Sequence, residues 1–459
     1  MGYIFTSRTS YFLSFIVFCG CIFPSISTEQ PSSWEVTYEP ENLLQIPVEN
    51  ETIVKFYTSD LTPDEVNHGV VTLISKDIHE SVILPVNRIW VLSEEHIKMN
   101  WSSNFTVIAN FLGYANIHLE MRNKVDESLI KISNPFNVTV VRRERVIDKV
   151  FTYSVATLAS VIYINFGCAV DWTILKRTLK RPIGPVIGFV SQFLFMPVIS
   201  FFLAKILFPE QVAMQLGMFF TGVSPAGGAS NIWTYALGGN LNLSITMTTI
   251  STLAAFVMMP AWIFTVGRLI FASGKMTIPY ARIAEIATGL IIPLGIGFII
   301  QWRLPRLSKL MVRILKPFAT LLIAFIVIFA IITNLYLFKL FSWQIIVAGL
   351  GLPWLGYFCG SVIAKILRQP AGDILAIAIE TGTQNTGISI FMLRFSLGQP
   401  EADLTTVIPV AVAIMTPIPM ITFFILKKIL KIKDCDKAAN TEDNSNGEPQ
   451  KEEPLNSMI

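Results

Sequence analysis

The chain has 459 residues, of which 52% are hydrophobic and only 15% charged, with a mean hydropathy of +0.57. Soluble globular proteins carry about 25% charged residues, so a disordered chain, a fibrous chain and a lone soluble domain are excluded. A net charge of +3 gives no electrostatic footprint for nucleic acid, and five cysteines, none between Glu29 and Val150, make no disulfide framework.

The N-terminus reads as a secretory signal peptide over 1–27. Arg8 supplies the positive region, Tyr11–Phe23 is an apolar run, and Ser25-Ile26-Ser27 offers small residues for cleavage after Ser27. A short uncleaved anchor is the alternative, and either sends the next segment out of the cytoplasm.

Residues 28–145 differ in composition. Short β-branched and aromatic stretches (52–57, 70–74, 81–86, 89–92, 105–111, 115–121 and 136–141) alternate with turn formers, which predicts an all-β, sandwich-like ectodomain. Four N-glycosylation sequons fall here, at Asn50, Asn100, Asn104 and Asn137. A fifth, at Asn242, falls in a segment read as a loop on the opposite side of the membrane and should be unused.

Residues 146–433 form the membrane domain. A helix needs about 20 apolar residues to cross the hydrocarbon, and nine windows qualify: 151–170, 184–207, 212–237, 243–266, 283–300, 317–338, 344–364, 372–395 and 404–426. Basic residues follow the odd-numbered spans: Lys176, Arg177, Lys180 and Arg181 after the first, and Arg303, Arg306, Lys309, Arg313 and Lys316 after the fifth. Lys365 and Arg368 follow the seventh, and Lys427, Lys428, Lys431 and Lys433 the ninth. By the positive-inside rule the N-terminus is extracellular or lumenal and the C-terminus cytoplasmic, as the sequons independently imply. The acidic segment 434–459 reads as a disordered tail.

Seven acidic residues lie between Phe151 and Lys427: Asp171, Glu210, Glu285, Asp373, Glu380, Glu401 and Asp403. Most fall at span ends or in loops, where water solvates them, but Glu380 lies well inside the eighth span. A carboxylate near the bilayer centre costs at least about 2.5–3.5 kcal/mol, so it needs a proton, a basic partner or a cation. No lysine or arginine lies within a helical turn, and all four histidines are in the ectodomain. Two glycines and three threonines crowd Ile379–Gly387, including Gly382, Thr383 and Gln384, and are poor helix formers. Carbonyls freed beside such oxygen-bearing side chains suit Na⁺.

The third span is interrupted in a matching way, at Pro225, Gly227 and Gly228. Either interruption alone is equally well read as small-residue helix packing. Two of them, in spans of opposite direction, point to an inverted-repeat secondary transporter whose broken helices cross near the midplane.

At these residues the sequence resembles the bile acid:sodium symporter family (solute carrier family 10). The matching segments are PAGGASN at 225–231, GGNLNLSITMTTIST at 238–252 and ETGTQN at 380–385, and the likeness covers roughly 150–427. The long ectodomain is similar to an orphan-type branch of that family. The resemblance implies a polytopic α-helical fold of about nine transmembrane helices, with panel and core domains and two crossed broken helices. It also implies two sites for Na⁺ as coupling ion: one at Ser230, Asn231, Ser244, Thr248 and Glu380, the other at Gln192, Glu380, Thr383 and Gln384. Ser244 and Thr248, spaced i, i+4, share one helix face unaided by any resemblance. Their hydroxyls could instead satisfy their own i−4 carbonyls, and Gln192 alone could be an interhelical hydrogen-bond partner.

The function implied is sodium-coupled symport of a small organic anion, bile acid or sulfated steroid-like, by alternating access, most simply at the plasma membrane. Two readings stay open beside it: a proton-coupled or exchange antiporter using Glu380 as proton carrier, and a receptor or adhesion protein anchored by its transporter core. No metalloprotease, nucleotide-binding or nucleophile-elbow motif points to an enzyme.

Overall fold

A computed structural model describes residues 32–58, 61–76, 81–84, 89–92, 101–143, 146–274, 276, 278–313 and 341–430. The signal peptide, the sequon at Asn100, the sixth window and the C-terminal tail lie outside the described residues.

The N-terminal region is a β-sandwich. Its strands are β1 (Ser32–Trp34), β2 (Thr37–Glu39), β3 (Leu43–Pro47), β4 (Glu51–Thr58), β5 (Gly69–Lys76), β6 (Val82–Ile83), β7 (Ile89–Val91), β8 (Trp101–Ala109), β9 (Gly113–Asn123), β10 (Leu129–Ser133) and β11 (Phe136–Val141). One sheet runs β1-β10-β9-β11-β3, with β5 pairing to β9 and β7 to β5; the other runs β2-β4-β8-β6. Burial alternates along β4, where Val54, Phe56 and Thr58 point inward, as a strand with one covered face requires. With no disulfide to close it, the sandwich is held by its core: Phe105 of one sheet meets Phe136 of the other edge to face, with ring centroids 6.0 Å apart, and Trp34 stacks on Trp101. A short helix, α1 (Pro63–His68), starts with a capping box in which Thr62 and Glu65 satisfy each other's backbone amides.

Sequence periodicity missed β1, β2, β3 and β10. β1 and β3 pair parallel to distant strands, so their place is fixed by long-range contact rather than by local turns.

The membrane domain consists of α2 (Val146–Ala169), α3 (Trp172–Leu179), α4 (Ile183–Leu207), α5 (Val212–Val223), α6 (Ala229–Leu237), α7 (Leu241–Ser273) and α8 (Tyr280–Arg303). These are followed by α9 (Trp343–Ile366), α10 (Ala371–Gly382), α11 (Thr386–Ser396), α12 (Glu401–Leu404), α13 (Val407–Met415) and α14 (Pro417–Ile429). Among the described residues five helical runs are long and apolar enough to cross a membrane: α4, α7, α8, α9 and the nearly continuous α12–α14. The third and eighth windows are each split in two, into α5/α6 and α10/α11. The loop after the first window holds the amphipathic α3, whose N-terminus Asp171 caps through Thr173 and Ile174 amides.

Two readings need correction. Asn242 sits in the first turn of α7, not in a loop. Asp403 is not a solvated span end: it is fully buried and paired with Arg394 and Arg142. Spacing alone did not show that two arginines from distant segments converge on it.

Candidate functional site at the crossing of two broken helices

α5 stops at Val223 and α6 starts at Ala229; α10 stops at Gly382 and α11 starts at Thr386. The two interruptions run antiparallel and bond to each other across the Ala226–Gln384 bridge. The Gly227 amide donates to the Thr383 carbonyl at 2.8 Å, and the Asn385 amide to the Pro225 carbonyl at 2.9 Å. In hydrocarbon an unsatisfied backbone group costs several kcal/mol, and here each break supplies partners to the other. Gly227 permits the approach, since a Cβ there would stand 2.9 Å from the Gln384 carbonyl oxygen. Gly228 meets nothing within 4 Å.

Gly382 sits at the break and has a packing role as well. It is the last residue of α10, and a Cβ on it would strike the Tyr357 ring and the Pro353 carbonyl of α9. It is a packing glycine, facing Gly356.

Below the crossing, Glu380 is 2% exposed. Thr248 Oγ1 donates toward its Oε1 at 2.5 Å and Ser244 Oγ toward its Oε2 at 3.0 Å. Asn231 Oδ1, from the first turn of α6, faces the same two hydroxyls at 2.9 and 3.4 Å. Ser230 adjoins the carboxylate, its buried hydroxyl without a well-formed hydrogen bond. So α6, α7 and α10 bring Ser230, Asn231, Ser244, Thr248 and Glu380 together. Thr248 Oγ1 also lies 3.0 Å from the Ser244 carbonyl, so the i−4 carbonyl and Glu380 compete for its one proton.

Each hydroxyl carries one proton, so Ser230, Ser244 and Thr248 bring three protons to three acceptors, the two oxygens of Glu380 and Asn231 Oδ1, and these neutral donors do not offset a full negative charge. Among the described residues no lysine, arginine or histidine pairs with Glu380. No three His, Cys, Asp or Glu side chains gather among them as a transition-metal site either.

Gln192, Thr383 and Gln384 form an adjoining cluster one turn beyond Glu380. Gln192 Nε2 donates to Gln384 Oε1 and to the Ser224 carbonyl, both at 2.7 Å. Gln384 Nε2 turns back to the Thr381 carbonyl at 2.7 Å. Gln192 Oε1 and Thr383 Oγ1 are buried without a well-formed hydrogen bond. Gln192 is presented by a widened π turn over Ser191–Phe195 within α4, where the Met196 amide reaches back to the Ser191 carbonyl. Pro197 cannot donate to the Phe193 carbonyl four residues earlier, and the Trp262 indole donates to that carbonyl instead at 2.7 Å.

Sequence reasoning missed three neighbours. Thr234 Oγ1 lies 3.3 Å from Ser244 Oγ, Ser251 Oγ is 3.4 Å from the Ala226 amide, and Asn385 caps α11 through the Ile388 amide. Ser251 extends the Ser244–Thr248 stripe by one more turn, a signal that was there to be read. Of the sequons, Asn50, Asn104 and Asn137 are exposed on the sandwich.

The chain is similar to known proteins over its membrane domain. The profile described as Sodium Bile acid symporter family matches residues 156–340. The ileal sodium/bile acid cotransporter of Cricetulus griseus is 30% identical over 303 residues, covering 65% of this chain and 84% of that protein. Sodium/bile acid cotransporter 5 of Rattus norvegicus is 26% identical over 340 residues, 72% of this chain and 78% of that protein. The P3 protein of Homo sapiens is 31% identical over 260 residues, 56% of this chain, and the match spans about half of that relative's length (54%). With motifs, crossed breaks and relatives in agreement, the chain belongs to the sodium bile acid symporter family.

Proposed function

We propose that this protein is a secondary active transporter, not an enzyme, that couples sodium entry to movement of a small organic anion of the bile acid or sulfated steroid class. The observation that carries the reading is the Glu380 carboxylate: buried, without a lysine, arginine or histidine partner among the described residues, and ringed by the side-chain oxygens of Ser230, Asn231, Ser244 and Thr248. A hard monovalent cation offsets that charge and takes such oxygen ligands. Ser230, Asn231, Ser244, Thr248 and Glu380 would hold one sodium ion. Gln192, Glu380, Thr383 and Gln384, with the orphaned Gln192 and Thr383 oxygens, would hold a second.

α6 and α11 both begin at the crossing, so two positive helix ends are available to an anionic substrate there. Sodium on both sites would neutralise Glu380 and fix the breaks in a shape that accepts the anion. Movement of the crossed-helix body against the α2–α8 pair would then release both cargoes inward. The membrane potential assists by about 2.3 kcal/mol per charge per 100 mV. The N-terminal sandwich lies outside and the C-terminus in the cytoplasm, in the plasma membrane.

The test is thermal unfolding of the purified full-length protein in sodium chloride against choline chloride, at several pH values. Stabilisation specific to sodium is expected, about 1.4 kcal/mol at ten times the dissociation constant. Stabilisation that follows pH and ignores sodium would replace the reading with a proton-coupled carrier.

A further inference from the structure

Among the described residues two side-chain ties join the β-sandwich to the membrane domain, and both end on α12, the short helix after α11. Arg142, directly after β11, places Nε 3.5 Å from Asp403 Oδ2. Arg394, near the end of α11, holds Asp403 Oδ1 at 2.9 Å. Tyr114 of β9 donates its hydroxyl to Glu401. β9 and β11 are hydrogen-bonded neighbours, with Tyr114 opposite Thr139, so both ties issue from one sheet.

The Asp403 side chain is 0% exposed, and the two arginines 14% and 12%. Removing one partner of a buried charge pair leaves the other uncompensated. α11 in turn is capped by Asn385, whose backbone amide bonds the opposite break. An unbroken series of bonded groups therefore runs from the sandwich to the crossing.

The sandwich is also joined covalently to α2, which packs on α8 through the close approach of Gly167 and Gly297. If the crossed helices shift against the α2–α8 pair, the sandwich must travel with one of them. We infer that it travels with the broken helix: Asp403 latches the sandwich to the outer half of the eighth span, and the two move as one body. The ectodomain is then part of the moving element. The latch stands whatever ion the crossing binds.

Hydrogen–deuterium exchange on the full-length protein tests this, with wild type, Arg142→Gln, Arg142→Lys and Tyr114→Phe compared. Arg142→Gln leaves the Asp403–Arg394 pair in place, and Tyr114→Phe removes one hydroxyl, so a folded protein remains to be measured. Exchange over 393–406 is expected to rise about fivefold in Arg142→Gln, the factor for an interaction of about 1 kcal/mol. It should rise less in Tyr114→Phe and return toward wild type in Arg142→Lys, with 160–169 of α2 unchanged. Loosening confined to 113–118 and 136–141, with 393–406 at the wild-type rate, would overturn the latch. An equal rise in α2 and α8 would overturn it too, since that is general destabilisation.

Discussion

Gln192 and Gln384, 192 positions apart in the chain, meet through a 2.7 Å hydrogen bond. The same Gln192 amide reaches the Ser224 carbonyl at the other break. One side chain thus joins both interruptions, and the widened turn of α4 exists where that side chain must be presented, as π turns often do at functional sites.

Replacing Gln192 with methionine keeps the bulk and removes both donations. The Ser224 carbonyl and Gln384 Oε1 would be left buried without a donor, a loss of about 1–3 kcal/mol. Thermal unfolding in choline chloride should show a lowered midpoint before any ion is added. An unchanged midpoint would mean that water or backbone takes over the bonds.

The two adjacent glycines of the first break should behave differently. Gly227→Ala forces a methyl against the Gln384 carbonyl and should destabilise the protein by about 1–3 kcal/mol. Gly228→Ala enters open space and should be tolerated. Side-by-side melting of the two variants checks the claim, and equal effects would refute the close approach of the breaks.

Exposed Asn50, Asn104 and Asn137 predict a glycosylated ectodomain. Each Asn→Gln change should remove one endoglycosidase-sensitive shift on a gel, whereas Asn242→Gln should remove none. A shift lost at Asn242 would invert the orientation.

Much of this was legible in the sequence because the breaks are written in Pro225, Gly227 and the threonines around Glu380, and because helical spacing puts Ser244 and Thr248 on one face. The π turn at Gln192 was not, since it arises where Pro197 frees a carbonyl that a tryptophan from another helix captures. Nor was the task of Gly382, which only the neighbouring Tyr357 and Pro353 reveal. The burial of Asp403 depends on Arg142 and Arg394 meeting across two domains, and no local pattern encodes that.

The ectodomain carries its own acid sensitivity. Burial alone would raise the Glu65 carboxyl, but the Lys131 ammonium at 2.6 Å and the Thr62 amide and hydroxyl hold it below its ordinary value of 4.5. A depressed carboxyl stabilises the fold above the unfolded value, and that stability is lost as pH falls through the folded one. Unfolding of the sandwich, followed by emission from the buried Trp34–Trp101 pair, should become easier below about pH 4.5. Lys131→Met should flatten that dependence; an unchanged slope would place the sensitivity elsewhere.

The central claim is that Glu380 holds sodium where the broken helices cross, and the sodium midpoint of thermal stabilisation in Glu380→Gln tests it most directly. The glutamine keeps the shape, accepting from one hydroxyl through its oxygen and donating to the other through its amide, while losing the charge. The account predicts a folded, surface-expressed variant whose sodium midpoint is raised at least tenfold, about 1.4 kcal/mol or more of lost binding. A variant that keeps the wild-type sodium midpoint would contradict it.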